Sequence, residues 1–272
     1  MRPEAPDPIA CIAACLGPGG RCLWMPNGGN LGDNLIAAAT IQRFERARLP
    51  WTFIRGQRRS VGPRDVLVFG GGGSLVAHYA GGVQCVASLL ALGAPVVVLP
   101  QTANGHESFW RGVSTVTVFC RDAASLAHMR QFGHLASWPA DDLAVDLDLT
   151  QDPLATVQAL RQSLATQGRE RVLEAFRSDP EAARPQPEGA LDISACAYPP
   201  LTSTASIYGS ACAFLAVLAT YTEIRTDRLH VAIAGGLLGV PTLLLEDRYG
   251  KNRGVFEASL QHRFPCVRLG GA

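Results

Sequence analysis

Asp65-Val66-Leu67-Val68-Phe69-Gly70-Gly71-Gly72-Gly73-Ser74 is the stretch that decides the fold class. An apolar run without polar alternation passes directly into four glycines. A half-exposed strand alternates apolar and polar side chains, whereas a strand covered on both faces does not. The segment therefore reads as a buried strand, over residues 65–69, in a parallel sheet whose strands each feed a helix. The pattern repeats outward. Upstream, residues 22–25 and 51–54 read as strands, with a helix from 33 to 48 between them whose first turn suits Asp33 and Asn34. Downstream, a helix over 80–92 precedes the all-apolar strand 95–99. A strand over 116–119 then leads to Cys120-Arg121-Asp122 and a helix over 123–132.

Beyond this point the pattern lapses. Residues 141–152 are acidic and loop-like, 184–189 are rich in proline and charge, and a helix over 153–176 separates two lobes. Periodicity resumes with a helix over 208–220, a strand over 223–225, a helix over 229–238, a strand over 241–245 and a last helix over 255–262. The expectation is an α/β protein of two Rossmann-like lobes with parallel sheets, 1–150 and 151–272, binding ligands at the carboxyl ends of the strands.

Composition narrows the function classes. A chain of 272 residues with 47% hydrophobic and 17% charged residues can bury a sizeable core. A formal net charge of +1 argues against a nucleic-acid partner, because little is available to neutralise many phosphates. The local basic pair Arg58-Arg59 reads as a solvated loop. Eight cysteines, at 11, 15, 22, 85, 120, 196, 212 and 266, include no CxxC pair. They read as reduced, buried small hydrophobes of a cytoplasmic protein, with no metal site. No run is long enough to span a bilayer, and the apolar stretch 9–16 lacks the cationic start of a signal peptide.

Chemistry gathers in a few places. Thr226-Asp227-Arg228-Leu229-His230 sets an acid, a guanidinium and an imidazole at the start of an apolar helix, and an imidazole can donate or accept a proton during turnover. Its plain alternative is a structural histidine. Lys251 and Asn252 offer a second cation and an amide, or else a solvated turn. Arg121 stands where a parallel sheet presents ligand-binding side chains, able to hold a carboxylate or phosphate by two parallel hydrogen bonds or simply to pair with Asp122. Asn27-Gly28-Gly29-Asn30-Leu31-Gly32-Asp33-Asn34 is a glycine-rich turn opening a helix. Gly28, Gly29, Asn30, Gly32 and Asp33 there can approach a substrate closely, or merely make a tight turn. Its spacing is not GxGxxG, so no dinucleotide is expected. Gly72, Gly73 and Ser74 read as the floor of a cleft, or as close backbone packing; without Gly-Lys-Ser/Thr they form no phosphate loop of the Walker type.

In this order the pieces resemble the polysaccharide pyruvyl transferase family. The residues that carry the resemblance are Gly28-Gly29-Asn30-Leu31-Gly32-Asp33, Val68-Phe69-Gly70-Gly71-Gly72-Gly73-Ser74 and Leu99-Pro100-Gln101-Thr102. Cys120-Arg121-Asp122, Asp192-Ile193-Ser194, Thr226-Asp227-Arg228-Leu229-His230 and Tyr249-Gly250-Lys251-Asn252 complete it, over residues 22 to 260. Residues 141–190 depart from the pattern. The resemblance implies a GT-B-like arrangement of the lobes. It implies transfer of a pyruvyl group from phosphoenolpyruvate onto two hydroxyls of a saccharide or lipid-linked saccharide, releasing phosphate and leaving a cyclic ketal. It assigns the donor-binding arginines to Arg121 and Arg228 and the arginine–leucine–histidine triplet to Arg228, Leu229 and His230. No cofactor is implied beyond the donor, and a lipid-linked acceptor would draw the enzyme to the membrane periphery. Two other readings remain. A GT-B-type glycosyltransferase would bind the ribose of a nucleotide sugar through Glu246 or Asp247, and a binding or regulatory protein would keep the fold without activity. Retention of Arg121, Arg228 and His230 together speaks against the last.

Overall fold

The structure, a computed structural model, describes residues 5–54, 61–165 and 170–271; Arg58, Arg59 and the first four residues lie outside these. The chain divides into two compact units. One comprises the chain up to Asn27 together with Thr40–Leu143, the other Gly28–Ala39 together with the chain from Ala144 onward. The expected lobes differ from these units in the place of the boundary and in the Gly28–Ala39 segment.

Elements follow in chain order as α1 (Pro8–Cys15), β1 (Cys22–Met25), α2 (Leu31–Arg46), β2 (Trp51–Phe53), β3 (Val66–Phe69) and β4 (Gly72–Val76). Next come α3 (Ala80–Leu90), β5 (Val96–Asn104), α4 (Glu107–Gly112), β6 (Val116–Cys120), α5 (Ala123–Arg130) and β7 (Ala136–Pro139). The apolar stretch at 9–16 is α1, because Asp7 caps it by accepting from the Ile9 and Ala10 N–H groups at 2.9 and 3.0 Å. Asp122 caps α5 in the same way, accepting from Ser125 N–H at 2.7 Å.

The first sheet is parallel and runs β2-β1-β3-β5-β6-β7. β4 also pairs with β5, matching Gly72 to Gln101 and Val76 to Asn104 farther along the same strand. The glycine run is thus not only the loop after a strand: Gly72 and Gly73 begin a second strand beside β5. Gly72 takes φ +136°, a conformation closed to most side chains, which is why a glycine stands there. β3 is buried throughout and β5 along all but its last residue, as the lack of alternation foretold. Strand order reverses between β1 and β3, and ligands of open parallel sheets bind beside such a reversal, past the carboxyl ends. Those ends meet here, with Asn27 Nδ2 donating to Gly71 O at 3.2 Å and Gln101 Nε2 donating to Gly70 O at 2.7 Å.

The second unit holds α6 (Ala155–Ala165), β8 (Val172–Ala175), α7 (Thr204–Ala219), β9 (Glu223–Thr226), α8 (Leu229–Leu237) and β10 (Thr242–Leu244). It ends with α9 (Lys251–Val255), a π-helical turn over Phe256–Leu260, α10 (Gln261–Arg263) and β11 (Val267–Leu269). Its sheet is parallel, in the order β11-β10-β9-β8, with no reversal. Leu173, Ile224, Thr242 and Val267 are in register and buried, while the alternate positions Glu174 and Arg225 are partly exposed and pair with each other at 3.8 Å. Expected cover on both faces therefore holds for the inner strands β1, β3, β5 and β6 of the first sheet, and not for its edge strands β2 and β7 or for the second sheet.

Two sequence readings change here. The expected helix over 153–176 stops at Ala165, and Leu173 and Ala175, alternating with more exposed neighbours, turn the rest into β8. The acidic stretch 141–152 is loop-like apart from a 3-10 turn over Leu143–Asp146, yet it buries Leu143, Val145, Leu147 and Leu149. No helix among the described residues is long and apolar enough to cross a membrane.

Candidate functional site

The site builds from the carboxyl ends of β8, β9 and β10. Thr226, the last residue of β9, donates its hydroxyl to Ala175 O at 2.6 Å and accepts the Arg228 N–H at 2.9 Å. This fixes the Arg228 backbone at the entry to α8. The side chain is buried, and a buried guanidinium needs ionised partners. It has them. Nε and Nη2 donate to the two oxygens of Asp192 at 2.9 and 2.5 Å, and Nη1 pairs with Asp179 at 2.8 Å.

From Asp179 the contacts continue. Arg177 donates Nε and Nη2 to Asp179 at 2.8 and 3.1 Å, and its Nη2 lies 2.7 Å from Glu181. Glu181 in turn pairs with Lys251, whose Nζ is 3.7 Å from Asp247. The result is a line of alternating charge: Asp192, Arg228, Asp179, Arg177, Glu181, Lys251, Asp247. Burial alone would raise Asp179 and Asp192, but the hydrogen bonds and charges of Arg177 and Arg228 outweigh it and hold both below the usual carboxylate range. Asp227 goes the other way. Burial pushes it up, against the Arg177 N–H, which it accepts at 2.8 Å, and the nearby cations.

The glycine-rich turn meets this unit at His230. A Cβ built on Gly32 would stand 2.6 Å from His230 Cβ and 2.8 Å from its Nδ1, so the histidine occupies the place a side chain would take. Gly32 belongs to the first turn of α2, where Asn30 Oδ1 accepts its N–H at 2.8 Å. His230 belongs to the first turn of α8. The amino ends of two helices, each carrying partial positive charge, therefore converge with the imidazole. Asp33 folds back against Gly29, and Gly28 is exposed. Anion binding joined to proton transfer is the chemistry such a set can perform.

Other expected site residues are placed differently. Leu229 is buried as part of the α8 core. Asn252 is fully enclosed and staples two strand ends, its Nδ2 donating to Asp227 O and Leu245 O at 2.7 and 2.8 Å. In the first unit, Arg121 is buried, with Nε donating to Thr102 Oγ1 at 3.0 Å and Nη1 to Asp142 at 2.5 Å; its partner is Asp142 rather than Asp122. Ser74 gives its N–H to Gln101 Oε1 at 3.2 Å, and its buried Oγ has no hydrogen-bond partner. Among the described residues no group of three or more His, Cys, Asp or Glu side chains is arranged to hold a metal.

Sequence reading missed Arg177, Asp179 and Glu181. Their signal was the Arg-x-Asp-x-Glu pattern directly after 172–175, legible only once that stretch is known to be a strand. No family model matches the chain, and no curated protein matches it. A solved structure does. The crystal structure of a functionally uncharacterized protein from Klebsiella pneumoniae subsp. pneumoniae NTUH-K2044 is similar over 93% of each chain, with a TM-score of 0.78 and 27% identity. The two share an α/β fold with parallel sheets over nearly their whole length.

Proposed function

We propose that this protein transfers a pyruvyl group from phosphoenolpyruvate to two hydroxyls of a sugar in an exopolysaccharide or cell-surface glycan precursor. The observation that carries the reading is His230 seated on Gly32, because it joins two parts of the resemblance far apart in sequence. The donor has a carboxylate and a phosphate, which Arg228 and the amino ends of α2 and α8 suit. Protonation of the donor's methylene carbon makes C2 electrophilic, and one hydroxyl adds there. The C2–O bond to phosphate breaks, and the second hydroxyl closes the ketal. Of the two hydroxyl protons, one balances that on the new methyl group and the other leaves with phosphate. His230 is assigned to proton transfer or to the departing phosphate. Arg121 stays in the proposal on the resemblance, as does the GT-B-like pairing of Rossmann-like lobes.

Calorimetric titration with phosphoenolpyruvate tests the reading. Wild-type protein should bind it saturably, and Arg228→Ala should weaken binding by roughly tenfold or more. Arg121→Ala tests the second arginine separately. His230→Ala should retain donor binding and lose on the order of 10²–10⁴ in turnover. No donor binding by wild type, with binding of a UDP-sugar, would favour a glycosyltransferase. One observation favours that second reading: Glu246 Oε2 is buried without a hydrogen-bond partner, an acceptor that a ribose hydroxyl could satisfy.

A further inference from the structure

We infer that Asp192 and Asp179 are positioning residues for Arg228, holding its guanidinium in one orientation in which its remaining N–H groups serve an anion. The inference rests on the proposed anionic donor for its ligand, though not for its geometry. A guanidinium has five N–H donors in a rigid plane. Asp192 takes Nε–H and one Nη2–H, and Asp179 takes one Nη1–H. Among the described residues this leaves one N–H on each of Nη1 and Nη2 for the oxygens of an anion.

Both carboxylates are themselves pinned. Asp192 Oδ2 accepts from Ser178 N–H and Ser178 Oγ–H at 2.9 and 3.0 Å. Asp192 also precedes the 3-10 turn Ile193–Cys196 but makes no capping bond there, so its carboxylate serves Arg228 instead. Asp179 is gripped by Arg177, and through Glu181 the same line reaches Lys251 and Asp247. A ligand that displaced Asp192 would have to break its bonds to both Ser178 and Arg228. The carboxylates therefore orient the cation and are not placeholders for the ligand.

The opposite view, that Asp192 merely occupies the anion's place, makes the contrary prediction. Removing a placeholder frees a cation and tightens anion binding; removing a positioning group loosens it. Asp192→Asn preserves shape and removes charge, and Ser178→Ala loosens Asp192 without touching Arg228. Phosphoenolpyruvate should bind Asp192→Asn about tenfold more weakly and Ser178→Ala slightly more weakly, with Asp192→Glu recovering part of the loss. Equal or tighter binding by Asp192→Asn would overturn the inference.

A second readout needs no ligand. In ¹⁵N-resolved spectra the Arg228 Nε–H, assigned by its loss in Arg228→Lys, should exchange slowly with water in wild type. It should exchange at least tenfold faster in Asp192→Asn, compared well below that variant's own melting temperature, and unchanged protection would overturn the inference. If wild type does not bind phosphoenolpyruvate, the functional reading fails and this exchange rate alone decides the positioning role.

Discussion

At Gly32 a single hydrogen separates a working geometry from a collision. Adding a methyl group there drives it into the His230 Cβ and ring, so one of the two must move. Gly32→Ala should therefore lower turnover at least tenfold, while its melting temperature falls by only a few degrees; thermal unfolding and a phosphate-release assay on one preparation check both. Asp227 gives a prediction in pH. Burial raises its value in the folded state, so it contributes stability fully present below the unfolded value and lost as pH rises through the raised one. Asp227→Asn can still accept the Arg177 N–H but does not titrate. Its melting temperature relative to wild type should climb as pH rises above the unfolded value of 3.8. Sequence alone displayed the arginine and histidine of 226–230 as candidates, because types and spacing are visible in one segment. It could not display their partners: Asp192 and Asp179 lie tens of residues from Arg228 and reach it only through the sheet.

Among elements, strands with no polar alternation were read to within a residue or two at β1 and β3, because burial on both faces leaves a continuous apolar signal. β8 and β11 were missed, being short and half exposed. The start of α7 at Thr204 was missed as well, since Ser203, whose hydroxyl accepts the Ser206 N–H, announces it before the bulky apolar residues begin. β1 and β3 are tied at their amino ends by Arg21 and Asp65, with Arg21 Nη2 2.9 Å from Asp65 Oδ2. The hydrogen bond from Arg21, against the penalty of burial, lowers Asp65 from 3.8 to about 2. A depressed carboxylate contributes stability above its unfolded value and loses it as pH falls toward the folded one. Asp65→Asn should thus be less stable than wild type at pH 6 and nearly level with it at pH 2, as chemical denaturation at the two pH values would show.

For the whole molecule, the cysteines read from composition as buried are in fact unevenly covered. Cys22 and Cys120 are buried and pushed up to about 12, whereas Cys15 and Cys196 are exposed. A thiol-reactive chromophore should label those two quickly and Cys22 and Cys120 only on unfolding; rapid modification of Cys22 would contradict the packing of β1. The two α/β halves were legible from the lapse in periodicity after residue 132. The exchange of Gly28–Ala39 into the second half was not, since nothing in a local pattern tells a helix which neighbours its first turns will find. That exchange has a consequence during synthesis. The ribosome makes Gly32 long before His230, so the nascent chain must carry one part of the second unit unfinished until its last third emerges. A fragment that begins after residue 143 would lack that part altogether, however well its own strands pair.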